Sequence, residues 1–134
     1  MAMLSFESES AGVRIKVTPG FMDDDSNPHE DHYMWSYRVE IENLRREPVQ
    51  LLRRTWRITD AAGRTTEVKG DGVVGEQPVI EPGDCFTYMS GAPLTSPFGL
   101  MEGAYHMVDE DGAPFDVPVP LFPLDSPHAA RSAS

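Results

Sequence analysis

The most suggestive chemical pattern in the chain is formed by Gly70, Gly72 and Gly75, which stand at the spacing G-x-G-x-x-G. In dinucleotide-binding proteins this spacing wraps a loop around a pyrophosphate, because the glycines open a helix whose N-terminal amides face the phosphates. An acidic residue about 20 positions later then binds the ribose. Here Pro78 follows too closely for such a helix to run far, and residues 90–100 contain no acid. The pattern therefore predicts a loop between strands and no dinucleotide site.

The residues around these glycines also argue against a phosphate ligand. Asp71 and Glu76 would lie beside a bound phosphate and repel it. A phosphate-binding P-loop requires Lys followed by Ser or Thr where this chain has Glu76-Gln77. Two interpretations stay open: a connecting loop whose glycines need positive φ, and a recognition loop that spans Gly70 to Gln77.

The basic middle of the chain is a second candidate for anion chemistry. Residues 38–69 hold eight of the eleven basic residues and five acids, so this segment is locally cationic in a chain of net charge −11. Arg53 and Arg57 fall on one face of a predicted strand and could meet pyrophosphate or a dinucleoside polyphosphate. The ordinary interpretation is a set of cross-strand ion pairs on a solvated sheet face. A small-anion binding protein or a phosphate-ester hydrolase is therefore the alternative function.

Metal binding is considered for residues 23–32, which read DDDSNPHEDH. The segment begins like a calcium loop, but Pro28 replaces the required glycine and Met34 stands at the twelfth position, where Glu is needed. His29 and His32 could gather a transition metal, yet no third well-spaced ligand is evident. We expect a solvated acidic loop and assign neither a metal site nor a cofactor.

No residue is assigned a catalytic role from the sequence. The chain has no G-x-S-x-G elbow, and its one cysteine, Cys85, lies in a strand alternation that is typical of a buried, unreactive thiol. We therefore expect a protein that is not an enzyme.

Length and composition limit the classes to which this protein can belong. A chain of 134 residues has the length of one domain, and its acidic balance disfavours nucleic-acid and anionic-membrane partners. One cysteine permits no internal disulfide, and the N-terminus lacks the regions of a secretory signal, so we expect the cytoplasm. No apolar run approaches the roughly 18 residues that span a bilayer, so we expect a soluble protein.

Alternation with period two indicates strands in the first half of the chain. Apolar residues alternate with polar ones over residues 13–18 and again over residues 33–42. In the next strand Leu51 and Trp56 belong to opposite phases, which predicts a bulge near Leu51. The inward phase also carries Arg54, whose stem is expected to lie along the core edge while its charge reaches water.

The second half of the sequence predicts shorter strands. Residues 84–90 form a strand, and residues 99–109 form a hairpin with residues 115–119, whose neighbouring prolines indicate a sheet edge. We expect one domain over residues 1–134 with a core at about 13–124. Residues 1–10 and 125–134 are expected to be flexible tails.

Frequent turn signals and the absence of helical periodicity predict the fold class. Seven or eight short strands describe an all-β protein, an antiparallel β-sandwich of the immunoglobulin or fibronectin type III kind. A closed barrel is the alternative.

Several motifs, in one order, resemble the bacterial ApaG family. They are GDGVVGEQP at residues 70–78, GLMEGAYHMVDEDG at residues 99–112, PVQLL at residues 48–52 and SGAPLTSPFG at residues 90–99. The likeness extends from about Val13 to Leu124. It implies a fibronectin type III-like sandwich, in agreement with the alternation.

The resemblance implies less about function. The family is associated with cobalt resistance and magnesium efflux, and its occurrence as a domain of larger eukaryotic proteins implies a protein-interaction module. The family's glycine motif maps to Gly70, Gly72 and Gly75. Many relatives have a histidine where this chain has Thr55, so a role for that histidine does not carry over. We therefore predict a non-catalytic module that recognises an unidentified protein, with Gly70, Gly72, Gly75, Glu76 and Gln77 as the contact.

Overall fold

The structure, a computed structural model, describes residues 4–128 and consists almost entirely of antiparallel strands. The parts of the predicted tails at residues 1–3 and 129–134 lie outside the described residues. Two short 3-10 helices, Asp23–Asp25 and Pro28–Glu30, occupy the acidic segment. The strands are β1 (Phe6–Ser10), β2 (Val13–Phe21), β3 (Tyr33–Asn43), β4 (Val49–Asp60), β5 (Thr65–Asp71), β6 (Val79–Ile80), β7 (Cys85–Leu94), β8 (Gly99–Val108) and β9 (Pro114–Leu124).

The strands form two sheets that enclose one core. The first sheet has the order β1-β2-β3-β7, and the second has the order β5-β4-β8-β9 with β6 also paired to β4. The neighbours β3–β7 and β4–β8 are not consecutive in the chain, which is the Greek-key connection of immunoglobulin and fibronectin type III sandwiches. The predicted β-sandwich is confirmed, and the barrel alternative is excluded by the two separate sheets.

Alternating side chains fill the core as the sequence predicts. Along β3 every second residue from Tyr33 to Asn43 is buried, and along β8 every second residue from Gly99 to Met107 is buried. The two indoles, Trp35 and Trp56, are 1% and 3% exposed and lie in opposite sheets. The period-two pattern therefore determines which face of each strand the core covers.

Three expectations need correction. The segment 1–10 is not wholly a tail, since Phe6–Ser10 pair with β2 as β1 and Phe6 packs against the core. Residues 125–128 also contact the sandwich: the Trp35 indole donates to the Asp125 carbonyl at 2.7 Å. Cys85 is exposed, not buried, because it lies on the outward phase of β7.

The predicted irregularity of β4 is confirmed. The register between β4 and β8 shifts between Leu51 and Arg53, so Leu52 is the extra residue of a β-bulge. Leu51 faces the core before the bulge, and Trp56 faces it after the bulge. The predicted edge strand is also confirmed, since β9 ends the second sheet.

Within residues 4–128 there is no helix whose length and apolar character would let it cross a membrane.

Candidate functional site

The glycine pattern forms a β-hairpin, which we call the glycine hairpin (residues 70–77). After β5 the chain reverses between Val73 and Glu76, whose backbone groups exchange two hydrogen bonds of 2.8 and 2.9 Å. The two residues between them, Val74 and Gly75, both have positive φ, 43° and 82°. This backbone is that of a tight turn of the type I′ kind, which joins antiparallel strands. The hairpin leaves no helix to hold a pyrophosphate.

Each glycine of the pattern has a separate structural reason. A Cβ on Gly70 would lie 2.8 Å from the guanidinium of Arg54, so this glycine leaves space for that side chain. A Cβ on Gly72 would lie 2.0 Å from the carbonyl oxygen of Glu76, and its φ is 60°. Gly75 faces open space and is needed only for its positive φ. The spacing therefore reflects the hairpin's own geometry.

The hairpin is anchored at its base and exposed at its tip. Val73 is fully buried, and the Gln77 side chain donates to the Leu52 carbonyl at 2.9 Å. Val74 is 54% exposed, and Glu76 is exposed without an ion pair to any of residues 4–128. Of the predicted site residues, Gly70, Gly72 and Gln77 therefore position the hairpin. Gly75 and Glu76 form its accessible end together with Val74.

Arg54 fixes the hairpin to the second sheet. The bulge in β4 places Arg54 opposite buried Tyr105, on the inward side. Its Nη1 donates to the carbonyls of Asp71 at 3.0 Å and Gly72 at 2.8 Å. The prediction that the Arg54 charge reaches water is therefore incomplete, because the guanidinium also donates to two backbone carbonyls of the hairpin.

A small cleft of about 220 Å³ separates the hairpin from β7, and we call it the Arg54 cleft. Its lining includes Tyr37, Arg54, Tyr88 and Ser90. Tyr88 is hydrogen-bonded through its hydroxyl to Tyr105. Burial raises the pKa of all three tyrosines above the usual value of 10.0, while the Arg54 guanidinium acts in the opposite direction on each pKa. The three phenols are therefore held neutral around one arginine.

The outer face of the second sheet carries an open groove of about 700 Å³, the outer groove. Four of its lining residues are basic: Arg53, Arg54, Arg57 and Lys69. Arg57 is paired with Glu67 at 3.7 Å and Glu102 at 3.4 Å, as the expectation of cross-strand ion pairs requires. Arg53 has no ion pair within residues 4–128. The two arginines proposed as an anion site thus share the groove, but one is already neutralised.

A hydrogen-bonded chain that sequence reasoning missed lies in the floor of the outer groove. Asp116 contacts Nδ1 of His106 at 2.8 Å, and Nε2 of His106 contacts the Thr55 hydroxyl at 2.7 Å. The three residues come from β9, β8 and β4, so only strand pairing brings them together. Their order is that of a hydroxyl, a base and an orienting carboxylate, as in hydrolases. The backbone amides beside Thr55 belong to the sheet, so side-chain cations are the nearby groups that could stabilise an oxyanion.

The acidic segment does not assemble a metal centre within residues 4–128, where no three His, Cys, Asp or Glu side chains converge on one point. Its first 3-10 helix is exposed, and Ser26 closes the segment by donating to the Met22 carbonyl at 2.7 Å. This segment is a capped, solvent-facing connection between β2 and β3.

Comparison with known proteins gives consistent matches. Residues 23–109 match the family model described as the ApaG domain. The chain is 53% identical over 123 residues to "Protein ApaG" of Paramagnetospirillum magneticum, covering 92% of this chain and 95% of the relative. The corresponding protein of Maricaulis maris is 54% identical, with 91% and 94% covered. A crystal structure from Bordetella pertussis, described as an ApaA protein, superposes with a TM-score of 0.83 at 44% identity and covers 86% of this chain and 94% of that one.

The glycine geometry predicts unequal effects of two alanine substitutions. Gly75→Ala should lower the free energy of unfolding by about 1 kcal/mol, because alanine disfavours the left-handed region. Gly72→Ala should lower it by about 3 kcal/mol, because the new Cβ also displaces the Glu76 carbonyl and disrupts the turn hydrogen bonds. Urea unfolding of the two variants and the wild type measures the difference. Equal losses would contradict the assigned role of Gly72.

The tyrosine cluster predicts instability in alkali. A tyrosine whose folded-state pKa exceeds 10 stays protonated while the unfolded chain deprotonates, so its contribution to stability is complete below pH 10 and is lost as pH rises toward the folded pKa. The free energy of unfolding should fall above pH 10 by up to about 1.4 kcal/mol per pH unit for each such tyrosine. The double variant Tyr88→Phe, Tyr105→Phe should show a smaller slope in urea titrations between about pH 8 and 11. Identical slopes would show that other groups cause the loss.

Proposed function

Since this chain belongs to the ApaG family, we propose that it is a non-catalytic recognition module that binds another protein through the tip of the glycine hairpin. We propose the cytoplasm as its compartment, because its exposed free thiol at Cys85 is typical of a reducing environment.

The conformation of Val74 carries the proposal. A β-branched residue at positive φ is a genuine outlier, since its branched side chain crowds the backbone there. Val74 is 54% exposed, so the core gains little from this strained apolar side chain. Strained residues concentrate at binding sites, where the surrounding structure holds them in place. Here the paired Val73–Glu76 backbone and the Arg54 contacts provide that support.

The charges around Val74 indicate the chemistry of the partner. Asp71 and Glu76 flank the exposed valine, and both residues are exposed. An apolar centre with a charged rim is the arrangement of small protein interfaces. The net charge of −11 adds a long-range field that attracts basic surfaces. The proposed partner is therefore a protein with a small apolar pocket bordered by Lys or Arg.

Affinity capture from the protein's own cells tests this function. Val74→Asn removes the apolar tip while keeping a residue that tolerates positive φ, and Glu76→Lys reverses a rim charge. We expect each variant to recover the partner at least about tenfold less than wild type, which corresponds to about 1.4 kcal/mol of binding energy. Val79→Thr is the matched control, because Val79 is also exposed (56%) but lies in β6, outside the hairpin.

The same experiment separates stability from binding. Val74→Asn should unfold at the same or a higher urea concentration than wild type, since it relieves backbone strain. A variant that is equally stable and yet captures the partner as well as wild type does would remove the hairpin tip from the proposed function. Recovery should also decline with added salt, because exposed charges are screened.

A second candidate, a binder or hydrolase of small phosphate esters, is supported by the outer groove. The groove combines the cation Arg53 with the Thr55–His106–Asp116 chain, in which His106 lies next to a hydroxyl. Lys69 adds a second cation, which is paired with Glu67 at 3.4 Å. This arrangement supplies an anion-binding group and a general base within one open surface. Glu67 and Asp116 in the same lining oppose anion binding, which is why this function ranks second.

Calorimetric titration with pyrophosphate and with diadenosine tetraphosphate decides this second candidate. If it holds, saturable heat is expected, and Arg53→Ala should abolish it. Arg57→Ala should reduce it less, because two glutamates already neutralise Arg57. Hydrolysis should be lost in His106→Ala; it is measured as phosphate release from pyrophosphate and as formation of adenine mononucleotides from diadenosine tetraphosphate. Absence of heat with wild-type protein at about physiological ionic strength would eliminate the candidate.

A further inference from the structure

The free edge of the second sheet is β5, whose pairing partner within the described residues is β4. Residues 65–69 and Asp71 are all exposed, so no other segment of residues 4–128 covers this edge. The edge strands β1 and β9 are protected, because Ser8 of β1 donates to the Pro118 carbonyl of β9 and because prolines interrupt β9. An uncovered edge strand presents unpaired N–H and C=O groups that can pair with another strand.

The hydrogen bonds at its two ends show which residues of β5 offer these groups. Arg64 accepts a hydrogen bond from Asp60, and Gly72 donates one to Leu52, so both residues face β4. The register of β5 is continuous between them. Because backbone groups alternate in direction along an antiparallel strand, residues 65, 67, 69 and 71 point their N–H and C=O groups away from β4. The Asp71 carbonyl already accepts a hydrogen bond from Arg54, so residues 65, 67 and 69 offer both groups to a second strand.

These outward residues are self-complementary in charge. When two copies of β5 lie antiparallel and centred on Val68, Glu67 of each copy lies opposite Lys69 of the other, and both are outward residues. A shift by two residues in one direction places Glu67 opposite Glu67, and a shift in the other direction places Lys69 opposite Lys69. Opposite charges across a strand pair stabilise it and like charges destabilise it. One register is therefore favoured over its neighbours.

The centre of this register is apolar. Val68 is 42% exposed and lies opposite Trp56, on the core-facing side of the sheet. In the antiparallel pair the two Val68 side chains meet at a non-hydrogen-bonded position, where Cα atoms are about 4.5 Å apart and side chains are closest. Pairing thus covers an exposed β-branched side chain with its own copy.

We propose that two copies of this chain associate through β5 into a symmetric dimer in which the second sheets become one continuous sheet. The contact is isologous, since the same residues serve on both sides of the two-fold axis. It brings the two outer grooves side by side and leaves the tip of the glycine hairpin accessible. Because one strand pair buries little area, the dimer should be weak and reversible. The inference stands apart from the proposed recognition of another protein, which uses the hairpin tip.

Sedimentation velocity across protein concentrations of about 5 to 500 μM tests the dimer, a range that covers weak interfaces. Wild-type protein should shift from monomer to dimer within this range. Glu67→Lys and Lys69→Glu should each raise the dissociation constant at least about tenfold, because each creates two like-charged pairs across the axis. The double variant E67K, K69E should dimerise like wild type, since the charges are exchanged and the pairing is restored.

An equimolar mixture of the two single variants gives the sharpest result. One variant carries two lysines and the other two glutamates at positions 67 and 69, so the mixture should form heterodimers although each variant alone remains monomeric. Both positions are exposed, and circular dichroism checks that each variant is folded. Wild-type protein that remains monomeric at the highest concentration would overturn the proposal. So would dimers that neither single variant weakens, since another surface would then form them.

Discussion

The extra residue in β4 is the constraint on which the rest of this molecule depends. Without Leu52 as a bulge, a strand that buries Leu51 would also bury Arg53 and point Trp56 to solvent, because side chains alternate strictly along a strand. The bulge allows one strand to contribute both Leu51 and Trp56 to the core. Its consequence is that Arg54 faces inward as well, where its charge needs partners. The carbonyls of the adjoining hairpin supply them.

This requirement explains the glycine pattern better than ligand binding does. A guanidinium that crosses over β5 requires the absence of a side chain at Gly70, and a chain that reverses within two residues requires positive φ at Gly75. Gly72 must approach the Glu76 carbonyl closely. Three unrelated local demands thus produce the spacing G-x-G-x-x-G. A motif indicates a nucleotide only where its strand-to-helix context is present, and this hairpin lacks the helix.

The sequence predicts what repeats along one strand and misses what depends on pairing between strands. Alternation predicts β3 and β8, and a break in alternation predicts the bulge, because these patterns are local. β1 is not predicted because its segment is mostly polar and its burial alternates only weakly. Its strand conformation depends on pairing with β2. Cys85 is wrongly expected to be buried, since alternation gives the period of a strand but not which phase faces the core.

The candidate site, like the fold, could be predicted from the sequence only where it depends on local patterns. The glycine pattern and the inward phase of Arg54 can be recognised from the sequence alone. In contrast, the Thr55–His106–Asp116 chain depends on the registers of three strands, and no single segment encodes those registers.

The distribution of charge follows from the same architecture. Cations concentrate on the outer face of β4, and acids on its neighbours β5 and β8 lie beside Arg57. These exposed pairs contribute little to stability individually, but they keep the sheet face close to neutral within a strongly acidic molecule. Glu76, which has no ion pair to any of residues 4–128, remains at the hairpin, close to an exposed valine in a strained conformation. The flat sheet face and the hairpin tip therefore differ in charge: acids and cations are paired on the face, whereas the tip combines an exposed apolar side chain with an exposed acid.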